Sequence, residues 1–557
     1  MVLHTCGCSA YNRTKHTLER IFVNSPTSPP SPRQLDETFG IEPSVYHRRW
    51  KILAILCLSL VTIVIAVSSL NVAIPTIIGA RSAGSTATLW IVEAYALVFA
   101  GFLLPAGALG DRYGRKHALV IGLIVFGAMS LVASRSTSPS QLIAARAVMG
   151  IGAALIMPAT LSIITNIFPA HERQKAIATW AGLAGAGGAL GPLMSGLVLK
   201  WFWWGSVFFV NIPLVLVLLT LVWYFVPNSK DPHGHDLDPV GALISIIMLG
   251  SLVFGIIEGP EWGWLSSGVM GSLLVAVLSG AAFVKWELAT QHPMLDPRLF
   301  RLRGFAMGSL SVTSSFFCMF GMFFLASQYL QFVHGYSALE TGVRTLPSAI
   351  MMVLVSPRSP AITAKIGVKN AVRIGYALIV CGFLGMSTLD TTSAYWHFAI
   401  FLVLIATGMA MQMAPASGMI VSSLPLAKAG VGSAVNDVTR EIGGALGIAI
   451  MGSVLSSGYR SAMTDATASF PIPGTVRPLV EDSIGKAFGV AERAATQIGP
   501  QAVDSLRRAA RASFVSGSHF SFLVAVGVAA LAGLVVSTFI PNAHEHVVSE
   551  VHGDPGE

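Results

Sequence analysis

The chain has 557 residues, of which 53% are hydrophobic and only 11% charged, against roughly 25% charged in an ordinary soluble domain. At a mean hydropathy of +0.68 there are too few polar side chains to cover a water-facing exterior, which excludes a soluble globule. The net charge of +8 does not mark a nucleic-acid binder, because the basic residues stand in short clusters between apolar runs, as in cytoplasmic loops of membrane proteins.

Lipid offers the backbone no hydrogen-bond partner, so only helices and closed barrels cross it. Barrel strands alternate polar and apolar residues. The runs here are unbroken, so the expected class is an all-α integral membrane protein. The tail, residues 1–50, holds Ser25-Pro26-Thr27-Ser28-Pro29-Pro30-Ser31-Pro32 and reads as disordered by composition. Its Cys6 and Cys8 lack a second cysteine pair, so no metal site is expected there, and Cys57, Cys318 and Cys381 lie in apolar runs as small hydrophobes. No secretory signal is apparent.

A span needs about 20 apolar residues. Fourteen runs qualify, near 52–79, 88–109, 117–134, 140–168, 175–199, 205–226, 239–259, 269–289, 305–334, 341–364, 370–388, 396–424, 429–457 and 518–540. With the N-terminus in the cytoplasm, the inside loops collect Arg112, Arg115, Lys116, Arg301, Arg303, Lys365, Lys369 and others, whereas the short outside loops hold only Arg81, Arg135 and Lys200. This bias places both termini inside. Residues 458–517 are then an outside loop, whose stretch near 481–513 is either an amphipathic surface helix or a plain soluble cap. The last tail, 541–557, carries His544, His546 and His552 and reads as solvated.

Between spans 2 and 3 stands Gly107-Ala108-Leu109-Gly110-Asp111-Arg112-Tyr113-Gly114-Arg115-Lys116. Its glycines permit a tight turn. Asp111 suits a helix N-terminus, and Arg112, Arg115 and Lys116 anchor the loop. This stretch resembles the signature loop of the major facilitator superfamily. Arg146-Ala147-Val148-Met149-Gly150-Ile151-Gly152 resembles the superfamily's second motif, and Gly187-Gly188-Ala189-Leu190-Gly191-Pro192-Leu193-Met194-Ser195-Gly196 its antiporter motif. Trp203-Trp204-Gly205-Ser206-Val207-Phe208 resembles its quaternary-ammonium exporters, and fourteen spans match its drug:proton antiporter branch typified by QacA and EmrB. The resemblance implies two six-helix bundles, 51–228 and 301–540, with two extra transmembrane helices inserted at 229–300, rocking about a midplane site. Lys365-Ile366-Gly367-Val368-Lys369 is a degenerate second copy of the signature loop. In span 5 the small residues around Gly187, Gly191 and Gly196 form a groove for close helix contact, and Pro192 should bend the helix. These features, with Gly107, Asp111, Arg112, Gly114, Arg115 and Lys116, are the expected gating elements.

Ionisable groups inside spans are costly and usually functional. The branch commonly carries an aspartate in span 1, where this chain has Ala66, five residues before Asn71. Glu93 in span 2 and Arg146 in span 4 fall at similar depth and are expected to interact, either to couple protons or as a static pair. In span 13, Asp437 and Glu441 share a helix face with Arg440 adjacent, which suits a proton carrier or cation site, unless the arginine merely neutralises them. A substrate cavity is expected to involve Asn71, Met157, Trp180, Phe316, Gln328, Gln331, Gln412 and Met413, through adaptable methionines, polar amides and aromatic faces. No nucleophilic constellation appears and no GxxxxGK[ST] loop is present, so no enzyme, cofactor or ATP is expected.

The reading is a proton-driven exporter of amphiphilic, cationic compounds in the plasma membrane, with small molecules, protons and the bilayer as its partners. An exporter of an endogenous lipid, siderophore or antibiotic is the first alternative. A non-transporting sensor or scaffold is the second.

Overall fold

A computed structural model describes residues 43–81, 84–230, 238–291, 293, 295–424, 429–468, 476–493 and 500–540. The clusters at Cys6 and Cys8 and at His544, His546 and His552 lie outside them. Fourteen long helices follow one another: α1 Pro43–Arg81, α2 Ser85–Tyr113, α3 Arg115–Ser134, α4 Pro139–Ile167, α5 Ala170–Trp201, α6 Asn211–Phe225, α7 Pro239–Trp262, α8 Ser267–Ala289, α9 Arg303–Gln328, α10 Ala338–Val355, α11 Val368–Met386, α12 Tyr395–Ser422, α13 Ala429–Thr467 and α14 Pro500–Phe539. A π-helical turn, Tyr329–Val333, prolongs α9, and Ser359–Ile366 continues α10. Among the described residues, thirteen helical stretches are long and apolar enough to cross a membrane. The expected span at 175–199 is α5, which is rich in glycine and alanine and stands outside those thirteen.

The helices start and stop where local chemistry directs. Ser138, Asp238 and Ser266 cap α4, α7 and α8 by accepting from the third residue on, and Ser337 and Glu340 form a reciprocal capping box at α10. Between α2 and α3 a single residue, Gly114, makes the turn at φ +118°. Between the α10 continuation and α11, Gly367 does the same at φ +82°. Gly114 N–H donates to the Gly110 carbonyl (2.9 Å) and Gly367 N–H to that of Thr363 (2.8 Å), and each glycine's carbonyl accepts from the residue four positions on at 3.1 Å. The degenerate second loop therefore has the backbone of the first.

Packing repeats the same symmetry. Helix α4 packs on α2 and α3 as α12 packs on α10 and α11, and α5 lies on α1 as α13 lies on α9. The halves meet through α2 against α13, α5 against α10, and α1 against α9. A twofold relating α1–α6 to α9–α14 exchanges the first two contacts and maps the third onto itself. Helix α7 sits against both α2 and α13, and α8 is held mainly by α7. The molecule is an all-α membrane protein of two six-helix bundles with an extra helix pair at one flank. Because the long helices are fourteen in number, the start of α1 and the end of α14 share one face, here called the terminal end. The Gly114 turn lies there, and the α13–α14 connection lies at the other, distal end.

Two boundaries differ from expectation. Helix α1 begins nine residues before the apolar run, where Arg49 pairs with Glu172 (2.7 Å) and Trp50 meets Phe168 edge-on. The expected loop 458–517 is mostly helical, because α13 runs on to Thr467, α14 already starts at Pro500, and Arg477–Asp482 and Ile484–Arg493 lie between. Val503, Leu506 and Ala510 of α14 are buried, and Arg511 donates to the Phe332 carbonyl (3.0 Å). Hydropathy marks the lipid slab, and these helices simply continue past it.

Positive φ costs a side-chain-bearing residue roughly 1–2 kcal/mol. Gly367→Ala should cost about that much, since a Cβ there meets nothing within 4 Å. Gly114→Ala should cost more, since its Cβ would stand 2.8 Å from His117 Nδ1. Thermal unfolding in detergent should rank wild type above Gly367→Ala above Gly114→Ala. The reverse order would contradict the turn geometry.

Candidate functional site

The signature loop is tied into its own half of the molecule. Arg115 N–H donates to the Ser229 carbonyl (2.9 Å), and Lys116 Nζ donates to the Trp223 carbonyl (2.9 Å). Arg112 lies over the Tyr113 ring, and Gly107 faces Pro158 of α4. The Asp111 side chain is outside the described residues.

The glycine stripe of α5 serves two partners. Gly187 and Gly191 face α1 at Val64 and Ser68, and Ser69 Oγ donates to the Gly191 carbonyl (2.9 Å). One turn further, the stripe faces the other bundle. A Cβ on Gly196 would lie 2.5 Å from Leu339 Cα, and one on Gly342 of α10 would lie 2.7 Å from the Pro192 carbonyl oxygen. Backbone therefore meets backbone across the seam at its distal end, a fit that lipid-embedded helices use in place of hydrophobic burial.

Polar ties reinforce that seam. Ser327 Oγ donates to the Asn71 carbonyl and Gln331 Nε2 to that of Val72 (2.9 Å). Asp482, on the distal helix Arg477–Asp482, accepts from Ser85 N–H (3.2 Å) at the first turn of α2 and pairs with Lys486 (3.1 Å) and Arg460 (3.7 Å). On the α7 side, Trp90 Nε1 donates to Glu258 (2.8 Å), Ser453 Oγ to the Ile256 carbonyl (2.8 Å) and Arg460 to the Pro260 carbonyl (2.9 Å). Every hydrogen bond named here between the halves, or from α7 to a half, joins distal parts of the helices.

The residues expected in a cavity divide into three groups. Asn71, Gln328 and Gln331 belong to the closed distal seam, and Gln328 Nε2 turns back to the Phe324 carbonyl (3.4 Å). Trp180 and Met157 meet inside the first half, where Trp180 Nε1 donates to Thr160 Oγ1 (3.2 Å) and that hydroxyl donates to the Met157 carbonyl (2.7 Å). Gln412 is wholly buried and donates to Ser315 Oγ (2.8 Å), while Met413 packs on the Phe305–Phe316 cluster.

Glu93 and Arg146 are both buried, 0% and 1% exposed, and they interact electrostatically as expected, though no hydrogen bond joins them. Arg146 Nε donates instead to the Ile91 carbonyl (3.0 Å), and its guanidinium lies 4.5 Å from the Tyr95 ring centroid. Counting residues fixed their common depth and left the side-chain directions open. Both Glu93 oxygens, Tyr95 Oη and Arg146 Nη1 are buried without a hydrogen-bond partner. Glu93 is within electrostatic reach of Arg146 and, across the seam, of Glu441. The two acidic candidates, far apart in sequence, thus belong to one charged group. Asp437 pairs with Arg440 at 3.5 Å. Reading the sequence missed Glu258, although an acid between Ile257 and Gly259 in an apolar run is the same signal that picked out Glu93. It also missed Tyr95 and Asp482, for which no spacing rule exists.

The α5–α10 fit generates a direct expectation. Gly196→Val should destabilise distal closure by about 1–3 kcal/mol, as overpacking does. Spin labels placed on the distal ends of α5 and α10 should report a larger share of separated molecules. An unaltered distance distribution would show that this contact does not hold the halves together.

The sequence profile described as Major Facilitator Superfamily matches residues 56–448. The chain is 33% identical over 490 residues to the multidrug efflux pump LfrA of Mycolicibacterium smegmatis, covering 88% of this chain and 96% of that one. It is 33% identical over 491 residues to the methyl viologen resistance protein SmvA of Salmonella typhimurium, covering 86% and 98%. It is 31% identical over 457 residues to the tetracenomycin C resistance and export protein of Streptomyces glaucescens, covering 82% and 84%. Among solved structures, a bacterial homolog of the human lysosomal transporter Spinster, inward-facing and unoccupied, superposes with a TM-score of 0.58 at 18% identity, covering 89% of this chain and 99% of that one. The xylose transporter XylE of E. coli does so at 0.53 and 13% identity, covering 89% and 99%. With its paired bundles, single-glycine turns and glycine-lined seam, this chain is a multi-pass membrane transporter belonging to the major facilitator superfamily.

Proposed function

We propose that the protein is a proton-coupled exporter of amphiphilic, cationic compounds in the plasma membrane, with both termini in the cytoplasm. The observation that carries this reading is Glu93, a carboxylate sealed at the junction of two bundles with neither oxygen hydrogen-bonded. A buried carboxylate without partners is expensive to keep charged. Beside it stand Arg146 and, across the seam, Glu441, so any parting of the halves changes the field that Glu93 feels. Binding a proton at one face and releasing it at the other is what such a group does when access alternates. It stands in for the span-1 acid replaced here by Ala66. One charge crossing 100 mV supplies about 2.3 kcal/mol, which is enough to drive net transport without a nucleotide.

The lysines and arginines of the terminal-end loops support the cytoplasmic placement of that end. The state described, closed distally, is then the one that loads substrate from inside. Relatives named for multidrug efflux and methyl viologen resistance support a cationic, amphiphilic cargo. A second reading, export of a less cationic antibiotic, is favoured by Ala66 and by the relative named for tetracenomycin C export.

In reconstituted vesicles, Glu93→Gln should abolish dye accumulation driven by a pH gradient while keeping downhill exchange. Gradient-driven accumulation that survives the substitution removes Glu93 from the coupling. Flux of neither kind in the wild type would favour the sensor or scaffold.

A further inference from the structure

Arg440 stands in the second turn of a membrane-crossing stretch, Val435–Thr467, yet a third of its side chain is exposed (33%). Its guanidinium lies over Phe316 of α9, 4.7 Å from the ring centroid. One nitrogen faces Asp437 at 3.5 Å, well beyond the 2.7–2.9 Å of a charge-assisted hydrogen bond. The face of α13 involved is defined by its neighbours. Gly452 meets Leu89 of α2, and Ser456 bonds Ser85 (2.9 Å). Stepping back by helical repeats reaches Glu441 and Asp437, and the electrostatic reach of Glu441 to Glu93 of α2 agrees with that direction. Asp437 therefore lies at the edge of the face toward the opposite bundle, on the side nearer α9. Arg440, one residue off that face, bridges to α9, beside Gly443 and Gly447, which touch the backbone of Thr313 and Phe317. Phe320 lies beside the ring, with centroids 6.0 Å apart, and Met319 and Met413 pack on the apolar cluster to which Phe316 belongs.

An aromatic face, a carboxylate at its edge and a rim of aromatic and thioether groups make a seat for an amphiphilic cation. In the state described, the protein's own guanidinium sits in it. We propose that Phe316 and Asp437 form a cation subsite that Arg440 occupies in the resting transporter, and that a planar or quaternary ammonium substrate binds by displacing Arg440. This rests on the exporter reading above and adds how the site rejects neutral molecules. A neutral compound cannot take over the Asp437 carboxylate, so it leaves the arginine in place. A cation competes for both the ring and the acid, and its own binding is weakened by that competition.

The test is equilibrium binding to the purified full-length chain in nanodiscs without a pH gradient. Ethidium is the cationic probe and Nile red the neutral one. Arg440→Gln vacates the seat and should tighten ethidium about ten-fold while leaving Nile red within about two-fold. Arg440→Lys keeps a charge but loses the planar stack, and should tighten ethidium less. It also serves as the readout if the glutamine variant does not fold. Adding Phe316→Leu to Arg440→Gln should remove the gain, and Asp437→Asn alone should weaken ethidium. If vacating the seat leaves ethidium affinity unchanged or reduces it, the displacement idea is wrong while the exporter reading stands. Wild type that binds no aromatic cation overturns both.

Discussion

Two bundles that meet in lipid cannot be held by hydrophobic burial, because the surrounding acyl chains are as apolar as leucine. What remains is fit at backbone range. Gly196 against Leu339 and Gly342 against Pro192 supply it on one side of the molecule, and on the other side Gly452 makes room for the side chain of Leu89. Such contacts are strong only while the surfaces match, so they suit a joint with two discrete positions. The hydrogen bonds of Ser327 and Gln331 to the α1 backbone work in the same way, being fully made or fully lost.

The charged residues follow from this joint. A span interior tolerates an ionised side chain only beside an opposite charge, a dipole or an aromatic face. Arg146 uses the Ile91 carbonyl and the Tyr95 ring, and Arg440 uses Phe316 and Asp437. Glu93 has Arg146 within electrostatic reach but no hydrogen bond to either of its oxygens, and it sits where α2 faces α13. A carboxylate without a hydrogen-bond partner, at a boundary between two bundles, is sensitive to how the two are placed. Its conjugate acid needs far less solvation than its anion, which is the property that the proposed coupling uses.

The architecture was legible because its determinants are local. Unbroken apolar runs state the number of crossings, and a lone glycine between two such runs, as at Gly114 and Gly367, states where the chain reverses. The glycine stripe of α5 announced a close contact, though not that Gly187 and Gly191 would serve α1 while Gly196 served α10. That division depends on the rotation of the helix, which is not encoded in spacing alone. The same limit explains the site. Residue counting placed Glu93 and Arg146 at one depth, and the structure keeps that depth but turns the guanidinium toward Ile91 and Tyr95. Gln331 looked like a ligand-contacting amide because an amide in a span needs a partner, and the partner is the backbone of the opposite bundle. Helix ends were misjudged at α1 and α14 because hydropathy reports the lipid and is blind to a helix that continues beyond it.

The inserted helix α7 breaks the molecule's symmetry. It reaches both halves, through Trp90 on one and through Ser453 and Arg460 on the other, whereas the matching flank at α5 and α10 has no such strap among the described residues. The two halves are therefore joined through a third element at one distal flank and directly, backbone to backbone, at the other. At the first flank the bilayer meets α7 and α8 instead of the seam itself, so the two margins of the protein present different surfaces to lipid.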